Sequence, residues 1–390
     1  MDPMPKLPCI ALCVEAPISL RGGVSVLIEA LIEGLAGDYR IVLVSQDTEE
    51  DLKKSSIHHL LSGHVQWQPV HHSLAACRGL ALDLKRLDVA LVHFHSGNNS
   101  WRDHWLAFSP VWFTRRAGIT TITTNHTAVT VWDNYCDPAK TSLFKKMAML
   151  PSAWVGKMLF LACLKTEIAV SRHNLDLLRR CYWPWRRFRL IYHSRISKIG
   201  PNTPPRDRKK YIITVGHIAF RKGQHLMARA FAELADEFPD WDLAMIGYNA
   251  QSACWNEIGQ LISTRNLQGR IILAGNREDV ADSMQRASIF VQPSLYEGLP
   301  LALQEALASG CACIGTSVSG IPELIDHEQT GLLVPPGDVG ALKDALKRLI
   351  QDTAMRERFF NTAPASIENK QMTKAAMIRL HRELYSSLLK

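Results

Sequence analysis

The sequence predicts an α/β protein made of two doubly wound parallel-sheet domains that face a crevice. Three observations predict it. Short apolar runs alternate with amphipathic helical stretches along most of the chain. The runs are continuously apolar rather than alternating, as strands buried on both faces are. The alternation also restarts after a Pro-rich, charged stretch near the middle. A length of 390 residues suits two domains of roughly 150–200 residues each.

Taken in order, Pro8 to Val14 reads as the first strand. Ser19-Leu20-Arg21-Gly22-Gly23-Val24-Ser25 then opens a helix with Val26, Leu27, Ala30, Leu31 and Leu35 on its apolar side. Strand, Gly-rich turn and helix make a phosphate- or dinucleotide-binding start. The full Gly-x-Gly-x-x-Gly is absent, so a merely tight turn fits as well. Strands follow at Ile41–Ser45, Val65–Trp67, Val89–Phe94 and Ile119–Thr123. His93 and His95 look like a metal pair, but no Cys, Asp or Glu cluster completes a site, and strand-end histidines are the better reading. The strand at Ile119–Thr123 runs into Thr124-Asn125-His126-Thr127, which puts His126 where open α/β sheets hold ligands. There it can orient a substrate or exchange a proton, the bland alternative being a surface histidine. A strand at Thr166–Val170, a helix N-capped by Ser171 and running through Cys181, and a strand at Phe188–Tyr192 complete this half.

Asn202 to Lys210 is the boundary stretch, giving domains 1–200 and 201–370 and a helical tail, 371–390, that packs back towards the N-terminal domain. The second half repeats the pattern, with strands at Tyr211–Val215, Asp242–Ile246, Arg270–Leu273, Ser288–Val291 and Ala312–Ile314. Helices are predicted at Gln224–Glu237, Ala253–Arg265 and Val280–Arg286, and another begins at Asp338. After Pro293-Ser294, Gly298-Leu299-Pro300 opens a helix lasting to Ser309-Gly310, with Pro300 in its first turn and Gly310 at C′. A helix N-terminus delivered into a crevice is an anion site. Glu297 stands just before that helix and Glu305 within it, two carboxylates suited to hydroxyl recognition near a phosphate. Arg221 and Lys222 follow the first strand of this half, and their place at a strand end favours an anion-binding role over a solvated pair.

Apolar content of 47% with 21% charged residues is globular. Nine irregularly spaced cysteines indicate a reduced, cytosolic protein, with Cys311 and Cys313 as small core residues. Met1–Pro8 lacks the basic and apolar regions of a secretory signal, and no apolar window is long enough to span a membrane. The net charge of +8 is uneven: Trp101–Lys210 holds 20 Lys and Arg against 6 Asp and Glu, a local excess of 14 that leaves the remainder acidic by 6. Seven of the ten tryptophans share that interval, a pattern suited to an anionic membrane surface. Within it Lys140 to Lys165 reads as two helices split at Pro151, with Lys140, Lys145, Lys146, Lys157 and Lys165 snorkelling above a Trp/Phe face, or as ordinary domain helices with solvated lysines. Tyr182-Trp183-Pro184-Trp185-Arg186-Arg187 adds an aromatic–basic patch.

Glu297, inside Pro-Ser-x-x-Glu-Gly-x-Pro, and Glu305, with seven residues between them, are followed by Ser319-Gly320-Ile321-Pro322-Glu323 and Thr330-Gly331-Leu332-Leu333-Val334. In this order the segments resemble the retaining family-4 glycosyltransferases, which have two Rossmann-like domains (the GT-B architecture). The first half joins the resemblance through Gly22-Gly23 and His126. It implies transfer from a nucleotide-diphosphate sugar, with retained configuration, to a glycan acceptor. Glu297 would hold donor-sugar hydroxyls and Glu305 the ribose. Lys222 and Arg221 would neutralise the diphosphate, and the backbone of Gly298 and Leu299 would hold phosphate or sugar oxygens. Gly22 and Gly23 would let their loop approach donor and acceptor, His126 would bind the donor sugar, and Asn276-Arg277 would border the base. His217 stands where the family often carries Arg, and here the arginine is Arg221. No metal or other cofactor is expected. The basic interval points to a lipid-linked acceptor in lipopolysaccharide or surface-polysaccharide synthesis, on the cytoplasmic membrane face, with a soluble acceptor as the alternative. A nicotinamide-dependent oxidoreductase is disfavoured by the missing glycine fingerprint, and a nucleic-acid partner by the lack of any recognisable module.

Overall fold

A computed structural model describes residues 7–20, 22–67, 73–96, 109–127, 155, 157–181, 188–200, 203–277 and 279–390. The chain divides into two compact units, Met1–Arg195 with Lys374–Lys390, and Ile196–Thr373.

The first unit is built on a parallel sheet of β1 (Cys9–Val14), β2 (Arg40–Ser45), β3 (Gly63–Gln66), β4 (Val89–Ser96), β5 (Thr120–Asn125), β6 (Thr166–Ala169) and β7 (Phe188–Leu190). Their order is β3-β2-β1-β4-β5-β6-β7. Every residue of β1 is buried, because both faces are covered. The strand's two-residue period splits it cleanly. Cys9, Ala11 and Cys13 enter one core, Ile10, Leu12 and Val14 the other. The strand order reverses between β1 and β4, which opens the sheet's ligand position beyond their carboxyl ends.

The helix Lys374–Leu389 belongs to this unit although it follows the second in sequence. Met377 and Tyr385 are fully buried in the same core as Ile10 and Leu12. The Tyr385 hydroxyl meets His93 Nδ1 at 2.5 Å, and Arg382 pairs with Asp38 at 2.8 Å. Its partner helix, Gly23–Leu35, approaches closely at Gly34, where a Cβ would lie 2.1 Å from Ile378 Cδ1.

The second unit repeats the plan with β8 (Lys209–Val215), β9 (Asp242–Ile246), β10 (Ile271–Gly275), β11 (Ala287–Gln292), β12 (Ala312–Thr316) and β13 (Leu332–Val334). The order β10-β9-β8-β11-β12-β13 places its switch point between β8 and β11. Both units are therefore the doubly wound, Rossmann-like structures that the sequence predicts. Cys311 and Cys313 are fully buried, and the described cysteines are all free thiols. Asp338 caps the helix Val339–Gln351 by accepting from Ala341 N at 2.9 Å.

Two local expectations are corrected. Pro300 is the N-cap rather than a first-turn residue, since its ψ of 118° is extended and the helix is Leu301–Ala308. Its carbonyl still accepts the first helical bond, from Gln304 N at 3.2 Å. Gly310, with φ +66°, does follow the C-cap Ser309. Lys157, expected to snorkel at the surface, is 3% exposed. Its ammonium is held by both carboxylate oxygens of Glu167 on β6, at 3.0 and 3.2 Å, so the pair is buried together. The rest of the predicted pair of basic helices before Val155, the Tyr182–Arg187 patch and much of the basic interval lie outside the described residues. Among the described residues no helix is long and apolar enough to cross a membrane.

Tyr385→Ala removes a fully buried aromatic ring and should destabilise the first unit by about 3–5 kcal/mol. Tyr385→Phe keeps the ring but takes the hydroxyl from His93, for about 1–3 kcal/mol. Denaturant unfolding of both variants checks the ranking.

Candidate active site

In the second unit the loops after β8 and β11 meet at the switch point. The loop after β8 forms a short turn, Phe220–Lys222, and ends at Gly223 with φ +70°. A Cβ there would sit 1.9 Å from the Pro293 carbonyl oxygen at the end of β11, so only glycine permits this approach. Leu295 N donates to Arg221 O at 2.9 Å and fastens the two loops. The result brings together four of the predicted residues.

Lys222 Nζ lies 2.5 Å from Glu297 Oε1, and Arg221 Nη1 lies 3.8 Å from Oε2. Glu297 Oε1 also accepts from Ser294 Oγ at 2.9 Å and Gln292 Nε2 at 3.2 Å. Burial by itself would raise the Glu297 pKa, but Lys222, Arg221 and the hydrogen bonds from Lys222 and Ser294 overcome it and hold the carboxyl below its ordinary value. The carboxylate is thus charged while only 5% exposed. Arg221 Nη1 also donates to Tyr296 O at 3.0 Å, and Nη2 meets His217 Nε2 at 3.3 Å. Burial, with Lys222 and Arg221 nearby, takes His217 down to about 4. It is a neutral acceptor for Arg221, not a third cation. His217 and Arg221 therefore share one cluster, and the positive charge resides on Arg221 and Lys222.

The remaining predicted residues of this unit stand around that cluster. Gly298 O accepts from Gly320 N at 3.0 Å, and Leu299 is 3% exposed. Glu305 lies partly exposed in the helix Leu301–Ala308. Arg277, just beyond β10, is held by Asp279 through Nε at 2.7 Å and Nη2 at 2.6 Å.

In the first unit Gly22 is the N-cap of Gly23–Leu35 with an ordinary φ of −79°. A Cβ on Gly23 would meet nothing within 4 Å, so neither backbone strain nor close packing explains that glycine. His126 follows β5 and is 6% exposed. Its Nε2 meets His95 Nδ1 at 3.1 Å and its Nδ1 meets His193 Nδ1 at 3.3 Å. Burial first, then neighbouring imidazoles, drives His93, His95 and His126 well below the usual imidazole range. Among the described residues no group of three or more His, Cys, Asp or Glu is arranged to hold a metal ion.

Sequence reasoning missed the residues that support these groups. Gln292 and Ser294, which hold Glu297, flank the Pro293 turn and are polar residues at the end of an apolar strand, which was the available signal. Ser319, which accepts from Glu297 N at 3.3 Å, lies 22 residues away. Tyr248, 49% exposed after β9, sets its ring 5.7 Å from that of His217.

Two doubly wound parallel-sheet units, the second with a charged cluster at its switch point, define the GT-B class of fold. A family model described as "Glycosyltransferase Family 4" matches residues 21–194, and one described as "Glycosyl transferases group 1" matches residues 196–365. Between them they take in most of the chain, which belongs to the glycosyltransferases and is an enzyme of the hexosyltransferase type. Neither describes a nicotinamide-dependent oxidoreductase. An alpha-D-kanosaminyltransferase of Streptomyces kanamyceticus is 24% identical over 317 residues, 77% of this chain and 79% of the relative. A putative colanic acid biosynthesis glycosyltransferase, WcaL of Escherichia coli K12, is 28% identical over 230 residues, 56% of this chain and 51% of the relative. The Anabaena Alr3699/HepE structure in complex with UDP and glucose superposes with a TM-score of 0.77 at 14% identity, over 97% of this chain and all of that one, 100%. At that identity the likeness is one of fold.

Because the Glu297 pKa is lowered on folding, its contribution is full above the ordinary carboxylate range and is lost as pH falls through the lowered value. The stability gap between the wild type and Glu297→Gln should therefore close on acidification, as urea titrations at successive pH values will show. Lys222→Met leaves the buried carboxylate short of its main partner and should cost on the order of 3 kcal/mol. Gly223→Ala, with its clash against backbone at a left-handed residue, should cost more than the about 1–2 kcal/mol of the backbone conformation alone.

Proposed function

We propose that the enzyme transfers a hexosyl group from a nucleoside-diphosphate sugar to a glycan acceptor, with the anomeric configuration retained. The observation that carries this is the Arg221–Lys222–Glu297 cluster at the β8/β11 switch point. In this reading the two cations take the charge of the leaving diphosphate, the task a metal performs elsewhere, and no cofactor is required. Ser294 and Gln292 keep Glu297 Oε1 hydrogen-bonded when Lys222 turns to the phosphate. Glu297 then receives donor-sugar hydroxyls, and Glu305 the ribose. Gly298 and Leu299 offer backbone groups to phosphate or sugar oxygens, and Arg277 borders the base. Gly22, Gly23 and His126 are assigned to donor phosphate, acceptor and donor sugar by the family resemblance. The open helix start at Gly23 supports that assignment, since a side chain there would meet no protein atom.

The bond from the anomeric carbon to the phosphate oxygen breaks, and a bond to the acceptor oxygen forms on the same face. The acceptor proton passes to the departing diphosphate. Catalysis rests on positioning and on stabilising the leaving charge. A UDP-type donor is supported by the ligands of the Anabaena neighbour, and a polysaccharide product by the colanic acid relative. A lipid-linked acceptor at the cytoplasmic membrane face is supported by the basic, Trp-rich interval Trp101–Lys210.

Turnover of UDP-, GDP- and ADP-hexoses by the wild type, with Glu297→Ala and Lys222→Ala compared, tests the site: each variant should lose at least about a hundredfold in kcat, and full activity in both overturns it. Co-sedimentation with vesicles of anionic phospholipid at low salt tests the membrane part. Binding that fades with added salt is expected, and none at low salt leaves a soluble acceptor.

A further inference from the structure

The first unit carries an unusual chain of buried imidazoles at the carboxyl edge of its sheet. His93 and His95, two residues apart on β4, share a face, and their ring centroids are 3.9 Å apart. His93 is fixed on both sides, by the Tyr385 hydroxyl at 2.5 Å and the Thr124 hydroxyl at 2.7 Å. His95 then meets His126, and His126 meets His193, at 3.1 and 3.3 Å. His95, His126 and His193 are 1%, 6% and 7% exposed, so the chain runs from the interior outward.

A neutral imidazole has one donating and one accepting nitrogen. Both nitrogens of His126 face imidazoles, so its proton position is coupled to theirs. If His126 carries its proton on Nε2, it donates to His95 and accepts from His193. If it carries it on Nδ1, the direction of both bonds reverses. An imidazole oriented by a carboxylate tends toward the cation, whereas one oriented by neutral imidazoles in a buried place stays uncharged.

We propose that His95 is a positioning residue that sets the tautomer of His126, and that His193 is the partner a donor-sugar hydroxyl replaces. The shorter, deeper bond to His95 stays in place. The longer, outer bond to His193 exchanges, which frees His126 Nδ1 for the sugar. This rests on the reading that His126 contacts the donor sugar. It adds two residues to that contact, and it explains how a histidine with both nitrogens already engaged can take a ligand.

The test uses the whole chain labelled with 15N-histidine, in which long-range 1H–15N correlations report the tautomer of each ring. In the wild type at pH 7, His126 should be neutral and in one tautomer. His95→Leu should change that pattern and lower kcat by about 10- to 100-fold with a smaller change in KM for the donor. His95→Asn, whose amide stands near the former Nδ1, should recover part of the rate. Addition of UDP-glucose, or of whichever nucleotide hexose the wild type turns over, should shift the His193 and His126 Nδ1 signals and leave His95 Nδ1 in place. A cationic or tautomer-mixed His126 in the wild type overturns the proposal, as does a folded His95→Leu with wild-type kcat. Should His95→Leu fail to fold, the wild-type spectra with and without donor still decide. A wild type that turns over no nucleotide sugar would instead defeat the functional reading, which the tautomer measurement identifies separately.

Discussion

The contact on which the second unit's chemistry depends is the approach of two backbone loops at Gly223 and Pro293. Adjacent parallel strands β8 and β11 send their chains away in opposite directions, and the gap between them is where side chains can converge. The missing Cβ of Gly223 lets the loops close to van der Waals distance. That closure carries Lys222 onto Glu297 and sets Arg221 beside Tyr296 O and His217. Without it, a carboxylate 5% exposed would face its desolvation cost without its main counter-charge.

The two units use one architecture and opposite electrostatics. At the second switch point two cations and a carboxylate are held charged by one another. At the carboxyl edge of the first sheet, histidines are held neutral by burial and by other histidines. Fixed charges of this kind suit an anionic ligand, whereas neutral imidazoles can both donate and accept hydrogen bonds.

Much of this was legible in the sequence, and the reason is physical. Parallel strands buried on both faces leave unbroken apolar runs, and the turns that follow them are marked by Gly, Pro and charge, so the strands and the residues around Glu297 and Lys222 could be picked out. Pairings could not. Lys222 and Glu297 are 75 residues apart, and His93 and Tyr385 are 292 apart. His193 and His381 carried no local signal at all. Lys157 shows the opposite failure: an amphipathic stretch invited a surface reading, while the informative residue was Glu167, a carboxylate inside an otherwise apolar strand. Pro300 missed by one position because a proline's φ suits both the N-cap and the first turn, and only ψ distinguishes them.

The return of Lys374–Leu389 to the first unit makes the second an insertion within it. During synthesis from the N-terminus, the second unit has all its residues once Thr373 has been added. The first then still lacks Met377 and Tyr385, two fully buried pieces of its core. The unit that begins first is thus completed after the second, and His93 waits for 292 further residues to be added before the hydroxyl that holds it exists.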